Sequence, residues 1–94
     1  MTDPKVTTFS ITRSAPWPNG DRLLGFFDIE IRGFRLYDCL LIRTSRGFLL
    51  AQTPRVDNKR ATGRAVQVTD KAIRSEMAEA AYRAFTALGG AEAA

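Results

Sequence analysis

The order of apolar and polar positions along this chain predicts strands first and a helix last. Lys5 to Arg13 alternates, with Thr7, Phe9, Ile11 and Arg13 on one face. From Arg22 to Arg32 the alternation is cleaner: Phe27, Ile29 and Ile31 oppose Asp28, Glu30 and Arg32. Phe34 to Arg43 predicts the next strand, and Arg32-Gly33 suits a two-residue turn whose glycine accepts a positive φ. Pairing Ile31 with Phe34 sets Glu30 against Arg35, Ile29 against Leu36 and Asp28 against Tyr37. Opposite charges then meet on one face and apolar residues on the other, as a hairpin requires. Carried away from the turn, the same register pairs Phe26 with Cys39 and Leu24 with Leu41 on the face that is polar near Glu30. That face changes from wet to dry, so its far end needs cover from the helix or from a second copy of the chain. Leu24, Phe26, Cys39 and Leu41 are therefore the expected dimer interface.

Ser14 to Asp21 concentrates turn formers and predicts a loop, with Trp17 between two prolines packed over a sheet edge. Thr44-Ser45-Arg46-Gly47 turns the chain into a strand from Phe48 to Gln52. Thr53 to Arg64 has Pro54, Asn58 and Gly63 but no periodicity, which predicts a long loop, and Ala65 to Val68 a last short strand. Thr69 or Asp70 caps a helix running to about Leu88. Its apolar stripe is Ile73, Met77, Ala81, Ala84 and Leu88, its polar face carries Arg74, Glu76, Glu79 and Arg83, and Gly89 ends it. The expected fold is α+β: an antiparallel sheet of four to five strands with a C-terminal amphipathic helix. It is one domain over 1–94, with its core at about 5–88 and a frayed tail at 89–94. A chain this short buries only about two-thirds of the surface that it exposes when unfolded, which favours pairing with a second copy.

Composition narrows the chemistry. There is no histidine and one cysteine, Cys39, among 94 residues, which excludes ordinary zinc sites and Ser-His or Cys-His catalysis. Cys39 lies in an apolar run and reads as a buried hydrophobe. Asp28 and Glu30, two apart on a strand, share a face and read as solvated surface. The expectation is a non-enzymatic protein with no metal, cofactor or small-molecule substrate. No apolar run approaches the roughly 20 residues needed to cross a bilayer, and the N-terminus lacks a signal-peptide pattern, so a cytoplasmic location is expected.

Charge is where the sequence becomes specific. Residues 1–42 hold five basic and five acidic side chains, and residues 65–94 hold three and four. The excess lies between them, where Arg43, Arg46, Arg55, Lys59, Arg60 and Arg64 face Asp57 alone, a local balance of +5. Such a cluster is the footprint of phosphate contacts, which give nucleic acid its sequence-independent affinity. Arginine outnumbers lysine, and its planar fork matches phosphate and guanine edges. DNA or RNA is the expected partner. The alternative is a protein-interaction or structural module whose basic loop meets an acidic partner protein.

Read in order, the segments resemble the bacterial stage V sporulation protein G (SpoVG) family over roughly residues 5–85. Lys5 to Arg13 is similar to its opening strand and Arg22 to Ile31 to its second. The most specific stretch is Tyr37-Asp38-Cys39-Leu40-Leu41-Ile42 followed by Gly47-Phe48-Leu49-Leu50-Ala51. It resembles the family pattern of histidine-aspartate, apolar strand, turn, then glycine and an apolar strand ending in alanine. The chain departs at Tyr37 in place of histidine, at Gln52-Thr53-Pro54-Arg55 in place of a methionine-proline-serine stretch, and at Val66-Gln67-Val68 in place of alanine-histidine-proline. The resemblance implies a homodimer built on the sheet and a regulator that binds DNA or RNA without enzyme activity. By position it points to Arg55, Lys59, Arg60 and Arg64, and to Arg74 near the helix start.

Overall fold

A computed structural model describes residues 4–13, 15–57, 62–64 and 66–92, with 55–57 and 62–64 described by backbone alone. The chain runs β1 (Lys5–Ile11), β2 (Arg22–Ile31), β3 (Phe34–Arg43), β4 (Leu49–Gln52), β5 (Arg55–Asp57), β6 (Thr62–Arg64) and α1 (Lys71–Ala87). Strands β1 to β4 form one antiparallel sheet in sequence order, and β5 and β6 form a separate two-stranded sheet. The α+β arrangement read from the pattern is the one that folds.

The β2–β3 hairpin starts as its sequence dictates. Arg32 and Gly33 have φ of 53° and 84°, the two positive values that a tight turn matched to strand twist requires. Ile31 pairs with Phe34, Glu30 with Arg35 and Ile29 with Leu36. There the simple register stops. Asp28 of β2 faces two residues of β3, Tyr37 and Asp38, and the next pair is Phe27 with Cys39. Asp38 takes φ of 55°, a left-handed conformation that aspartate tolerates better than most residues. Its N–H donates to Asp28 Oδ1 at 2.9 Å, so the side chain of one strand fills the gap in the ladder. A second irregularity between Leu23 and Gly25 restores the original register, leaving Leu24 as the extra residue of β2.

These two bulges correct the expected faces. Phe26 pairs with Leu40, not Cys39, and Leu41 pairs with Gly25, not Leu24. The extra residue at Asp38 moves the side chains of β3 beyond it to the other face, and the one at Leu24 turns that side chain inward. Leu24, Cys39 and Leu41 thereby join Phe27, Ile29 and Ile31 under α1, at 2%, 0% and 0% exposure. They are core, not dimer interface. Phe26 alone of the four stays on the outer face, 39% exposed. In β1 a further irregularity at Thr7 lets Val6, Phe9 and Ile11 all reach the same core.

Helix α1 closes that core. Asp70 is the cap, its side chain accepting from Ile73 N at 3.1 Å. The buried face is Met77, Ala78, Ala80, Ala81 and Phe85. Phe85, absent from the expected stripe, meets Phe9 edge-on with ring centroids 6.0 Å apart, and Phe9 stacks on Phe27 at 6.2 Å. Each such large apolar side chain, fully buried, contributes roughly 1.5–3 kcal/mol. Leu88, expected in the stripe, is exposed because the helix ends on it. Gly89 N donates to Thr86 O and Gly90 N to Phe85 O, and Gly89 has φ of 84°, the bonds of a helix end that reverses the chain. A Cβ on Gly90 would stand 2.6 Å from the Phe85 ring, so this close return needs glycine.

The stretch from Thr53 to Arg64, expected as an aperiodic loop, instead contains the β5–β6 ribbon. Its strands have three residues each, too short for alternation to show in sequence. The short strand expected over Ala65 to Val68 is not present at residues 66–68, and Ala65 lies outside the described residues. This segment is tied down by Thr53, whose hydroxyl donates to the Val66 carbonyl.

Candidate nucleic-acid interface

The positive stretch is built in two parts. At the end of β3 and in the following turn stand Arg43 and Arg46. Beyond β4 stand Arg55 and Arg64, with Lys59 and Arg60 between them in sequence but outside the described residues. The ribbon register is Arg55 with Arg64, Val56 with Gly63 and Asp57 with Thr62. The ribbon forms a sheet of its own.

Arg46 is exposed at the tip of the turn between β3 and β4. The turn is held from within by Gly47 N on Thr44 O at 2.9 Å and Thr44 N on Phe48 O at 2.8 Å. Asp21 anchors it from outside, accepting from Ser45 N at 2.8 Å. Through Asp21 the loop carrying Trp17 sits beside Arg46: Trp17 N donates to Asp21 O at 2.8 Å, and the indole is 38% exposed.

Arg43 is placed differently from the expectation. Its Nε and Nη2 hold both oxygens of Glu92 at 2.8 and 2.7 Å, and its Nη1 donates to the Gly47 carbonyl at 2.8 Å. The guanidinium lies 5.2 Å from the centre of the Tyr82 ring. All three forks of Arg43 are thus engaged within the chain. The hydrogen bonds from Arg43 hold the Glu92 carboxyl below its ordinary pKa, opposed by burial and helped by Tyr82 and by the charge of Arg22. Sequence reasoning missed Glu92, Tyr82 and Arg22 as one cluster. The signal for it was the paired glycine at 89–90 followed by an acid.

Arg74 lies half-buried on α1 beside β4. Its Nε is buried without a hydrogen-bond partner among the described residues. It borders two cavities of about 130 and 240 Å³, the first shared with Gln52, Thr53 and Gln67, the second with Lys71 and Ser75. Lys71 and Arg74 therefore lie beside β4. Three of the acids are engaged within the chain: Glu76 pairs with Arg32 at 2.9 Å, Glu30 pairs with Arg35, and Asp28 caps the Asp38 amide.

The outer face of the sheet, opposite α1, carries Phe26, Leu40, Leu23 and Leu50 around the buried Ile42. Cys39 is on the helix side, and burial, with the charges of Asp28 and Asp38 adding to it, pushes its thiol up to about 11. At neutral pH it is a thiol, not a nucleophile. Among the described residues no three of His, Cys, Asp and Glu gather as a metal site, and no helix is long and apolar enough to cross a membrane.

No family model, curated protein or solved structure matches this chain. The likeness to the SpoVG family therefore rests on the strand and turn residues quoted above.

Proposed function

We propose that this chain is a cytoplasmic, non-enzymatic regulatory protein that binds DNA or RNA by phosphate contacts from the β5–β6 ribbon and the segment joining its strands. One observation carries the reading: the whole positive excess of the sequence falls on residues 43–64, and the strands there oppose Arg55 to Arg64 on a ribbon apart from the sheet. Arg46, Lys71 and Arg74 on the β4 side extend the basic surface. The resemblance to the SpoVG family supports the same function. It also supports a homodimer, for which the outer face around Phe26 is the apolar surface that α1 leaves uncovered.

Salt titration of binding to DNA and RNA oligonucleotides tests the reading. Affinity is expected to fall steeply with salt, and replacing Arg55, Lys59, Arg60 and Arg64 with alanine flattens the logarithmic slope by about three to four. No detectable binding at low salt, or binding indifferent to salt and to these replacements, ends it. Protein partners that survive nuclease treatment and are lost with the same replacements turn the argument to an acidic protein. Sedimentation at micromolar concentration reads the dimer: two chains for the natural protein and one for Phe26→Asp. A natural protein that sediments as one chain removes the dimer.

A further inference from the structure

The sheet end at Arg22 and Arg43 holds an anion of the protein's own making. The two arginines are direct cross-strand partners, an arrangement that is unfavourable without a negative group nearby. Glu92 provides one, gripped by the Arg43 fork at 2.8 and 2.7 Å, the geometry by which a guanidinium also holds phosphate. The Tyr82 hydroxyl donates to Glu92 Oε1 at 2.9 Å. The Gly47 carbonyl, at 2.8 Å from Arg43 Nη1, aims the fork.

The way Glu92 arrives sets it apart from a core ion pair. It comes from neither a strand nor the helix, but from a tail turned back over Phe85 by Gly89 and Gly90. Its side chain and that of Arg43 stay 25% and 27% exposed, so solvent and salt weaken the pair. Between tail and body lies a cavity of about 420 Å³, lined by Ile11, Leu24 and Phe85 and by Arg13 and Arg22, with the tail from Gly89 to Glu92 as one wall. The tail bridges this space by the Glu92 contact and does not fill it.

We propose that Arg43, Arg22 and Tyr82 form a phosphate site that Glu92 occupies in the free protein, and that nucleic acid displaces the tail as it docks. The inference rests on the nucleic-acid reading above. Arg46 stands three residues beyond Arg43, in the turn whose carbonyl at Gly47 aims Arg43. A backbone that reaches Arg46 brings its next phosphates toward Arg43. Tethering gives Glu92 a high local concentration, which excludes a lone carboxylate. A polyanion that already holds Arg46 and the ribbon competes on equal terms, and gains the release of its counterions.

The decisive variant is Glu92→Gln. Oligonucleotide affinity at low salt is expected to rise about tenfold, and the logarithmic salt slope to steepen by about one, the value of one added phosphate contact. Glu79→Gln makes the same charge change on the exposed face of α1 and is expected to gain less than about threefold. Adding Arg43→Ala to Glu92→Gln returns affinity to the Glu79→Gln level. A Glu92→Gln gain no larger than that of Glu79→Gln overturns the displacement. The site is read independently by the NMR signal of the Arg43 Nε–H during titration with sodium tripolyphosphate. It is expected to move at lower concentration in Glu92→Gln than in the natural protein, and no movement in Glu92→Gln overturns the phosphate site. Where no variant binds oligonucleotide, the nucleic-acid reading fails with the displacement, and the tripolyphosphate titration still decides the site.

Discussion

Two pairs of arginines are partners across antiparallel strands, and they differ in the acids that the chain sets around them. Arg22 and Arg43 sit at an end of the four-stranded sheet, and Glu92 reaches them from 49 positions beyond Arg43. Arg55 and Arg64 sit on the two-stranded ribbon, in a stretch where Asp57 is the only acid between positions 43 and 64. The difference teaches how to read a basic cluster. An arginine count alone gives both pairs equal weight, but a guanidinium already forked onto a carboxylate is closed to a ligand until that carboxylate leaves. The first pair belongs to the fold as it stands, and the second lies in the stretch that holds the positive excess of the sequence.

The frame that holds the first pair is the most sensitive to substitution. A Cβ on Gly25 would lie 2.4 Å from the Ser10 carbonyl oxygen and 2.6 Å from the Phe9 ring. Gly25→Ala is expected to cost about 3 kcal/mol, the upper part of the range for overpacking, as a lower urea midpoint. An unchanged midpoint removes the claim that β1 packs too closely on Gly25 to admit a side chain. Gly90→Ala acts one level down. The tail cannot return over Phe85, and the expected loss is about 1–2 kcal/mol, accompanied by oligonucleotide binding that tightens as in Glu92→Gln. A stable Gly90→Ala protein with unchanged binding breaks the contrast between the two pairs.

The smallest expected effect is the pH dependence of the first pair. The Glu92 carboxyl is held below its ordinary value of 4.5 in the folded chain. Its contribution is therefore complete above that value and is lost as pH falls through the lower folded one. Because the pair is partly exposed, the limb amounts to under about 1 kcal/mol. Thermal melts from pH 6 to pH 3 are expected to show this limb in the natural protein and not in Glu92→Gln. Identical acid profiles for the two chains exclude a stabilising pair.

Much of the architecture could be read along the chain, because it is specified over short distances. The tight turn at Arg32-Gly33, the first three pairs of the hairpin, the Asp70 cap and the Gly89 stop each depend on residues within a few positions of one another. The concentration of charge at residues 43–64 is likewise a property of the sequence alone. What failed to read through depends on single residues that interrupt a period. Asp38, by taking a positive φ and satisfying its amide on Asp28, inserts one residue into β3. The alternation that assigned Cys39 and Leu41 to an outer face is thereby inverted, and the second bulge, at Leu24, turns that residue inward.

The sequence by itself thus determined the order of the four sheet strands and the helix, the hairpin turn and the place of the positive excess, since local backbone preference and composition are sufficient for these. Only the tertiary structure decided which face each residue of the β2–β3 bulge takes, and that Arg43 is engaged within the chain. Both depend on partners far apart in the chain: α1 selects the face by burying Leu24 and Leu41 beside Phe85, and Glu92 closes Arg43 from beyond the helix. Burial and pairing of this kind are settled by proximity in space, which no local pattern encodes.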